Sequence, residues 1–165
     1  MDNMLKKLWV AVLASIALVG CGTAGQISDD SQDKAVVSQI LDSRSYTVDI
    51  DWMSPLRGPG KAVTGGYSVS VHEDMLDSYL PYIGDARSIP YGGGKGLVFK
   101  EKVQKYEDSG WKKGKRIIGI TVTNDEDTYE YTLTFFENGN ADVSVLCRNR
   151  DSISYRGALK LERQE

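Results

Sequence analysis

From Tyr46 onward, apolar and polar residues alternate along most of the chain. Tyr46, Val48, Ile50 and Trp52 fall on one face of an extended segment, with Thr47, Asp49 and Asp51 on the other. Tyr67, Val69 and Val71 alternate with Ser68, Ser70 and His72, and Leu97, Phe99 and Val103 share a phase that Glu101 breaks. Ile118, Ile120 and Val122 alternate with Gly119, Thr121 and Thr123. Tyr129, Tyr131, Leu133 and Phe135 form the cleanest stripe. Val143, Val145 and Cys147 follow, then Ile153, Tyr155, Leu159 and Leu161. A period of two places every second side chain on the same side, so these runs predict antiparallel strands with one buried face. Met75–Tyr79 suggests one more short strand.

The links between the runs are short and turn-forming. Asn138-Gly139 suits a tight hairpin, Asn124–Asp127 and Asn149–Asp151 are polar turns, and Gly110–Gly114 closes another hairpin. No long helical crossover intervenes, so the order is a meander of about eight strands. A sheet of that size in one small domain tends to curl and close, which removes its edges. The expected fold is all-β, a small antiparallel barrel or strongly curled sheet, lipocalin-like in outline, with a two-sheet sandwich as the alternative. One short helix precedes it. Ala35, Val36, Ile40 and Leu41 give Lys34–Asp42 an apolar face, and Ser31 or Asp33 is available as its cap.

The N-terminal pattern is different. Lys6 and Lys7 precede Leu8–Val19, an apolar run broken only by Ser15. At about 1.5 Å per helical residue it cannot span about 30 Å of hydrocarbon, so it reads as the core of a signal peptide. The segment ends Leu18-Val19-Gly20-Cys21, which resembles the bacterial lipobox. That resemblance implies a diacylglyceryl group on the Cys21 thiol, cleavage before Cys21 and acylation of the new amine. Two or three acyl chains anchor a protein stably where one does not. Residues 1–20 are thus read as a lipoprotein signal peptide, 21–33 as a flexible tether and 34–165 as a single β-barrel-like domain. The expected location is the cell envelope, lipid-anchored in the outer membrane and facing the periplasm or the surface. The tether's acidic pair, Asp29 and Asp30, lies further past Cys21 than surface-export signals usually do.

Composition narrows the chemistry. The formal charge is −3, which does not suggest a nucleic-acid binder. Residues 1–20 carry two lysines against one aspartate, so their removal leaves 145 of 165 residues and a charge of −4. The single histidine, His72, argues against histidine-based metal sites, and two cysteines argue against a disulfide scaffold. With Cys21 committed to lipid, Cys147 has no intrachain partner.

Five separated stretches carry a family likeness. They are Met53–Gly60 (MSPLRGPG), Tyr79–Gly84 (YLPYIG), Pro90–Gly94 (PYGGG), Asp125–Tyr129 (DEDTY) and Ser152–Gly157 (SISYRG). In this order they resemble the domain-of-unknown-function family 4251, lipoproteins largely of Bacteroidota. The likeness covers roughly residues 35–160. It implies an all-β, lipid-anchored envelope domain, and it supplies no activity and no catalytic residues.

The most unusual segment is Pro81–Gly96, with two prolines, five glycines, Tyr82 and Tyr91. Loops of this length without strand pattern are often lids or binding loops. Tyr79, Tyr82 and Tyr91, with Trp52, are candidates for an aromatic platform for a sugar ring or peptide, since tyrosine offers a flat apolar face and a hydroxyl. A plug for one end of the barrel is the competing reading. Gly92-Gly93-Gly94-Lys95-Gly96 lacks the Ser/Thr and following helix of a phosphate loop. Asp49, Asp51, Glu73, Asp74 and Asp125–Asp127 offer oxygen ligands without matching a calcium-loop pattern. Cys147 shares the phase of Val143 and Val145, and His72 falls on the polar face of another strand, so a Cys–His nucleophile is disfavoured. Lys105, Trp111, Lys112, Lys113, Lys115 and Arg116 form a basic hairpin, read as a solubilising turn or as a contact for anionic head groups. Arg148, Arg150 and Arg156 are expected in rim salt bridges. The expectation is a non-enzymatic envelope lipoprotein without cofactor or metal, held to the membrane through Cys21. Its barrel end would bind a glycan, small molecule or protein. Docking on an outer-membrane complex is the alternative.

Overall fold

A computed structural model describes residues 29–86 and 96–161, with side chains from residue 33. Cys21, Tyr91 and Gly92-Gly93-Gly94-Lys95 lie outside the described residues. One helix, α1 (Asp29–Asp42), leads into β1 (Ser45–Pro55), β2 (Lys61–Ala62), β3 (Ser68–His72), β4 (Met75–Leu80) and β5 (Leu97–Lys102). There follow β6 (Lys105–Lys112), β7 (Lys115–Thr123), β8 (Thr128–Phe136), β9 (Asn140–Cys147) and β10 (Ile153–Leu159).

All pairings between named strands are antiparallel and run β5-β4-β3-β1-β10-β9-β8-β7-β6, with β2 added to β1. The first and last strands of that path are consecutive in the chain, joined only through Val103 and Gln104. A two-residue link cannot cross a flat nine-strand sheet, so the sheet curls until its edges meet. The link is fixed from both edges. Val103 N–H donates to the Asp74 carbonyl at 2.7 Å and Gln104 N–H to that of Thr121 at 2.9 Å. The edge strands do not pair with each other, which makes the domain a curled half-barrel in place of a two-sheet sandwich.

The predicted stripes line the interior. Val48, Val69, Val71, Leu76, Ile118, Val122, Leu133, Phe135 and Val145 are fully buried, and Tyr129, Tyr131 and Tyr155 are the largest enclosed side chains. Each large side chain removed from water contributes about 2 kcal/mol, which offsets the entropy of ordering so many strands. The tyrosines need partners for their hydroxyls. Tyr131 O–H donates to Ser78 Oγ at 2.9 Å, Ser78 donates on to the Leu97 carbonyl at 2.8 Å, and Tyr155 donates to that of Pro81 at 2.7 Å. The β8–β9 hairpin closes through Glu137-Asn138-Gly139, where Gly139 takes φ +82°, a left-handed conformation costly for other residues.

Several expectations need correction. Trp52 does not share the face of Tyr46, Val48 and Ile50. A bulge at Asp51 shifts the register with β10, turns Trp52 outward and buries Met53. The helix begins at Asp29, so Ser31 and Asp33 lie inside it and do not cap it. Its buried residues are Val37 and Leu41, one turn apart, while Val36 is 46% exposed. Lys105–Lys112 is a full strand without alternation because it is an edge with both faces largely wet. Leu161 lies beyond the last strand and is exposed.

Candidate functional site

α1 lies on the β6–β7 hairpin and the β8–β9 turn. Trp111 Nε1–H donates to Ser38 Oγ at 2.8 Å, and Lys34 pairs with Glu137 at 2.6 Å. Arg116, buried, binds Asp42 at 2.7 Å and grips Asp108 with two nitrogens. Burial alone would raise the Asp108 pKa, yet the Arg116 bonds, the Gly110 N–H and the Arg116 and Arg44 charges together hold the carboxyl below its ordinary value. The Asp108 bonds in turn raise Arg116. Two members of the predicted basic hairpin, Trp111 and Arg116, therefore seat the helix. Lys112, Lys113 and Lys115 stay exposed at the tip.

The chain after β4 is held by the β9–β10 connection. Tyr82 O–H donates to the Asp151 carbonyl at 3.0 Å, Asp151 N–H donates to that of Asp85 at 2.9 Å, and Ala86 bridges Arg150. Beside this junction lies a groove of about 510 Å³, lined by Tyr67, Tyr79, Tyr82, Val98 and Arg150 among others. Tyr67 and Tyr79 stack at 5.3 Å between ring centres. Gly84 and Gly96 edge the groove, and a Cβ on Gly84 would meet the Tyr82 hydroxyl at 2.5 Å. Burial raises the Tyr82 pKa, so its hydroxyl keeps its proton at neutral pH.

Arg150 forms the deep wall. Its side chain is 6% exposed, bonded to Glu126 at 2.8 Å and set 5.8 Å from the Tyr82 ring centre. Asp127, with no exposed side-chain area, accepts backbone N–H groups from Thr128, Arg148 and Asn149 and so ties two turns together. Arg150 Nε, 3.7 Å from Asp127, is buried without a hydrogen-bond partner. Such a donor costs about 1–3 kcal/mol.

The structure thus brings Tyr79 and Tyr82 together and adds Tyr67 and Arg150. Trp52 is elsewhere, on the outer face of β1 with Arg156 over its ring at 5.2 Å. Arg150 is in a salt bridge as expected, and among the described residues Arg148 and Arg156 are not. Tyr67 ends a predicted stripe, and only its stacking across the β3–β4 pair identifies it as lining. Cys147 is buried and its thiol is pushed up to about 12, by burial first and Asp127 second. His72 is exposed and meets the Ser45 hydroxyl at 3.1 Å, so it does not serve Cys147. Among the described residues, no three His, Cys, Asp or Glu side chains gather to hold a metal, and no helix is long and apolar enough to cross a membrane.

A curled antiparallel half-barrel with an arginine-backed tyrosine groove at the strand ends defines a small all-β domain with an open pocket. The profile of the family described as Domain of unknown function (DUF4251) matches residues 28–159, and the chain belongs to that family. The crystal structure of a DUF4251 family protein from Bacteroides eggerthii superposes with a TM-score of 0.59 at 16% identity, over 78% of this chain and 87% of that one. This likeness supports the fold alone. No curated protein matches the chain significantly.

Proposed function

We propose that this protein is a lipid-anchored cell-envelope lipoprotein that performs no reaction of its own and binds a ligand in the groove of Tyr67, Tyr79, Tyr82 and Arg150. The carrying observation is three tyrosines and one buried arginine around the same 510 Å³ opening. Flat rings beside a fixed cation suit a sugar, or a small molecule with a planar or polar group. Anchoring rests on Lys6-Lys7, the apolar core and Leu18-Val19-Gly20-Cys21. Two measurements test the proposal. Wild type should carry a lipid-sized mass at Cys21 in the membrane fraction, and Cys21→Ser should not. A screen of envelope metabolites and oligosaccharides should raise the melting temperature, and Tyr79→Ala with Tyr82→Ala should abolish the rise. A flat screen removes the small-ligand reading.

A second reading has its own support. Tyr79, Ile83 and Val98 are each more than 40% exposed beside the groove, and Tyr79 and Val98 are cross-strand partners. Such a patch suits docking on an outer-membrane complex. Cross-linking in cells should then recover one stoichiometric partner, lost on Ile83→Asp.

A further inference from the structure

We infer that the α1 end of the domain is a membrane-contact surface, where the β6–β7 hairpin tip rests on the phosphate-bearing head groups of the leaflet that holds the Cys21 lipid. The inference rests on the lipoprotein reading and states which way the anchored domain faces. Residues 22–28 separate Cys21 from Asp29, where α1 begins, and a fully extended chain of that length reaches about 25 Å. Followed back from Asp42, α1 runs toward the tip. Asp42 meets Arg116, Ser38 meets Trp111, and Lys34 lies 5.4 Å from the Trp111 ring centre and pairs with Glu137. Trp111 adjoins Lys112, and Lys115 is the register partner of both Lys112 and Phe136. The chain from Cys21 therefore enters the domain at the end that carries the tip.

The charges at this end select the occupant. The cations that seat α1 are matched, Lys34 by Glu137 and Arg116 by Asp42 and Asp108. Lys112, Lys113, Lys115 and Lys160 are exposed, and among the described residues they form no ion pair. Lys160 belongs here because the preceding Leu159 N–H donates to the Gly139 carbonyl at 2.8 Å, and a Cβ on Gly139 would stand 3.8 Å from Val37 of α1. The tip itself is Lys113-Gly114, at φ +52° and +77°. Asn-Gly is the favoured pair in such a turn, so a lysine in the left-handed region keeps a charge at the apex at a cost in stability. Val36 and Leu161, beside these contacts, are 46% and 45% exposed. Lysines interspersed with exposed aliphatics match a head-group layer, where ammonium groups meet phosphates and apolar side chains reach the acyl boundary. Asp29, Asp30 and Asp33 stand in the first turns of α1, where the positive end of the helix favours carboxylates. A patch this small holds a free protein weakly. Tethered by its lipid, the domain makes the contact at high effective concentration, so the patch needs only to orient it. From the β8–β9 turn, β9 runs 8 residues, about 26 Å, to the connection that holds Arg150. The tyrosine groove therefore faces away from the bilayer.

The test uses the lipidated protein purified from membranes and reconstituted into vesicles of phosphatidylcholine, alone or with about 30% phosphatidylglycerol. Lysine acetylation is followed residue by residue by mass spectrometry, with Lys61, on β2 beside Met53, as the internal reference. On the anionic vesicles Lys112, Lys113, Lys115 and Lys160 should react about threefold or more slowly relative to Lys61, and about 0.5 M salt should abolish the difference. When Lys112→Gln, Lys113→Gln and Lys115→Gln are combined, the melting temperature should not change and Lys160 should react equally on both vesicles. Equal labelling of the tip on both vesicles, while the protein floats with them, overturns the inference and leaves the lipid anchor standing. A protein that floats with neither overturns the anchor, and this inference with it. Protection of Lys61 in place of the tip assigns the contact to another face and overturns the inference. So does protection of Lys160 that survives the combined variant.

Discussion

Two buried arginines hold opposite parts of this domain, and they are satisfied to different degrees. Arg116 is gripped by Asp108 and also reaches Asp42. Arg150 is as buried, yet it bonds Glu126 through one nitrogen and leaves Nε without a hydrogen bond, 3.7 Å from Asp127, in the wall of an open groove. Burial works against the Arg150 charge, and only the Glu126 bond together with the charges of Tyr129, Glu126 and Cys147 keeps its pKa above the ordinary value. A guanidinium with its donors matched fixes a helix to a hairpin. One with a donor to spare, beneath two tyrosine rings, marks where packing was not completed for stability alone.

Lysine substitutions should break the symmetry most. Lysine keeps the charge and loses the planar fork, so Arg116→Lys should cost about 2 kcal/mol in urea unfolding. Arg150→Lys removes the orphaned Nε together with the useful bond and should cost under about 1 kcal/mol. Equal costs would show that the two arginines do the same work.

Acid should separate the regions next. The folded pKa of Asp108 is depressed, so its contribution is present above the unfolded carboxylate range and is lost as pH falls through the folded value. The urea midpoint should therefore drop on acidification below about pH 4, and less steeply in Arg116→Met. The smallest effect should come from Cys147. With its thiol near 12, about one part in ten thousand is thiolate at pH 8, so iodoacetamide should label unfolded protein and spare native protein.

The strands were legible because a sheet with one wet face writes its burial as alternation, and Tyr129 to Phe135 or Ile118 to Val122 read directly. The bulge at Asp51 was not, since one extra residue reverses the phase without changing composition, and so Trp52 was assigned to the wrong face. Gly157, opposite Ile50, belongs to the same irregularity, because a Cβ there would overlap the Asp49 carbonyl. Edge strand β6 lacked a pattern because neither face is sealed. At the groove, Tyr79 and Tyr82 stood out by type. Tyr67 and Arg150 did not, because stacking and cross-loop pairing bring them there from distant parts of the chain.

The pairing of β1 with β10 also sets the order of assembly. The arm β1–β5 and the meander β6–β10 are joined side by side only through that pair, and its two strands are separated by most of the domain. Contacts so distant in sequence form late and slowly. Until residues near Leu159 are available β1 can pair only with β2 and β3, and the arm and the meander stay unjoined. The half-barrel thus closes only with its last strand, however early the hairpins on either side of the β1–β10 seam form.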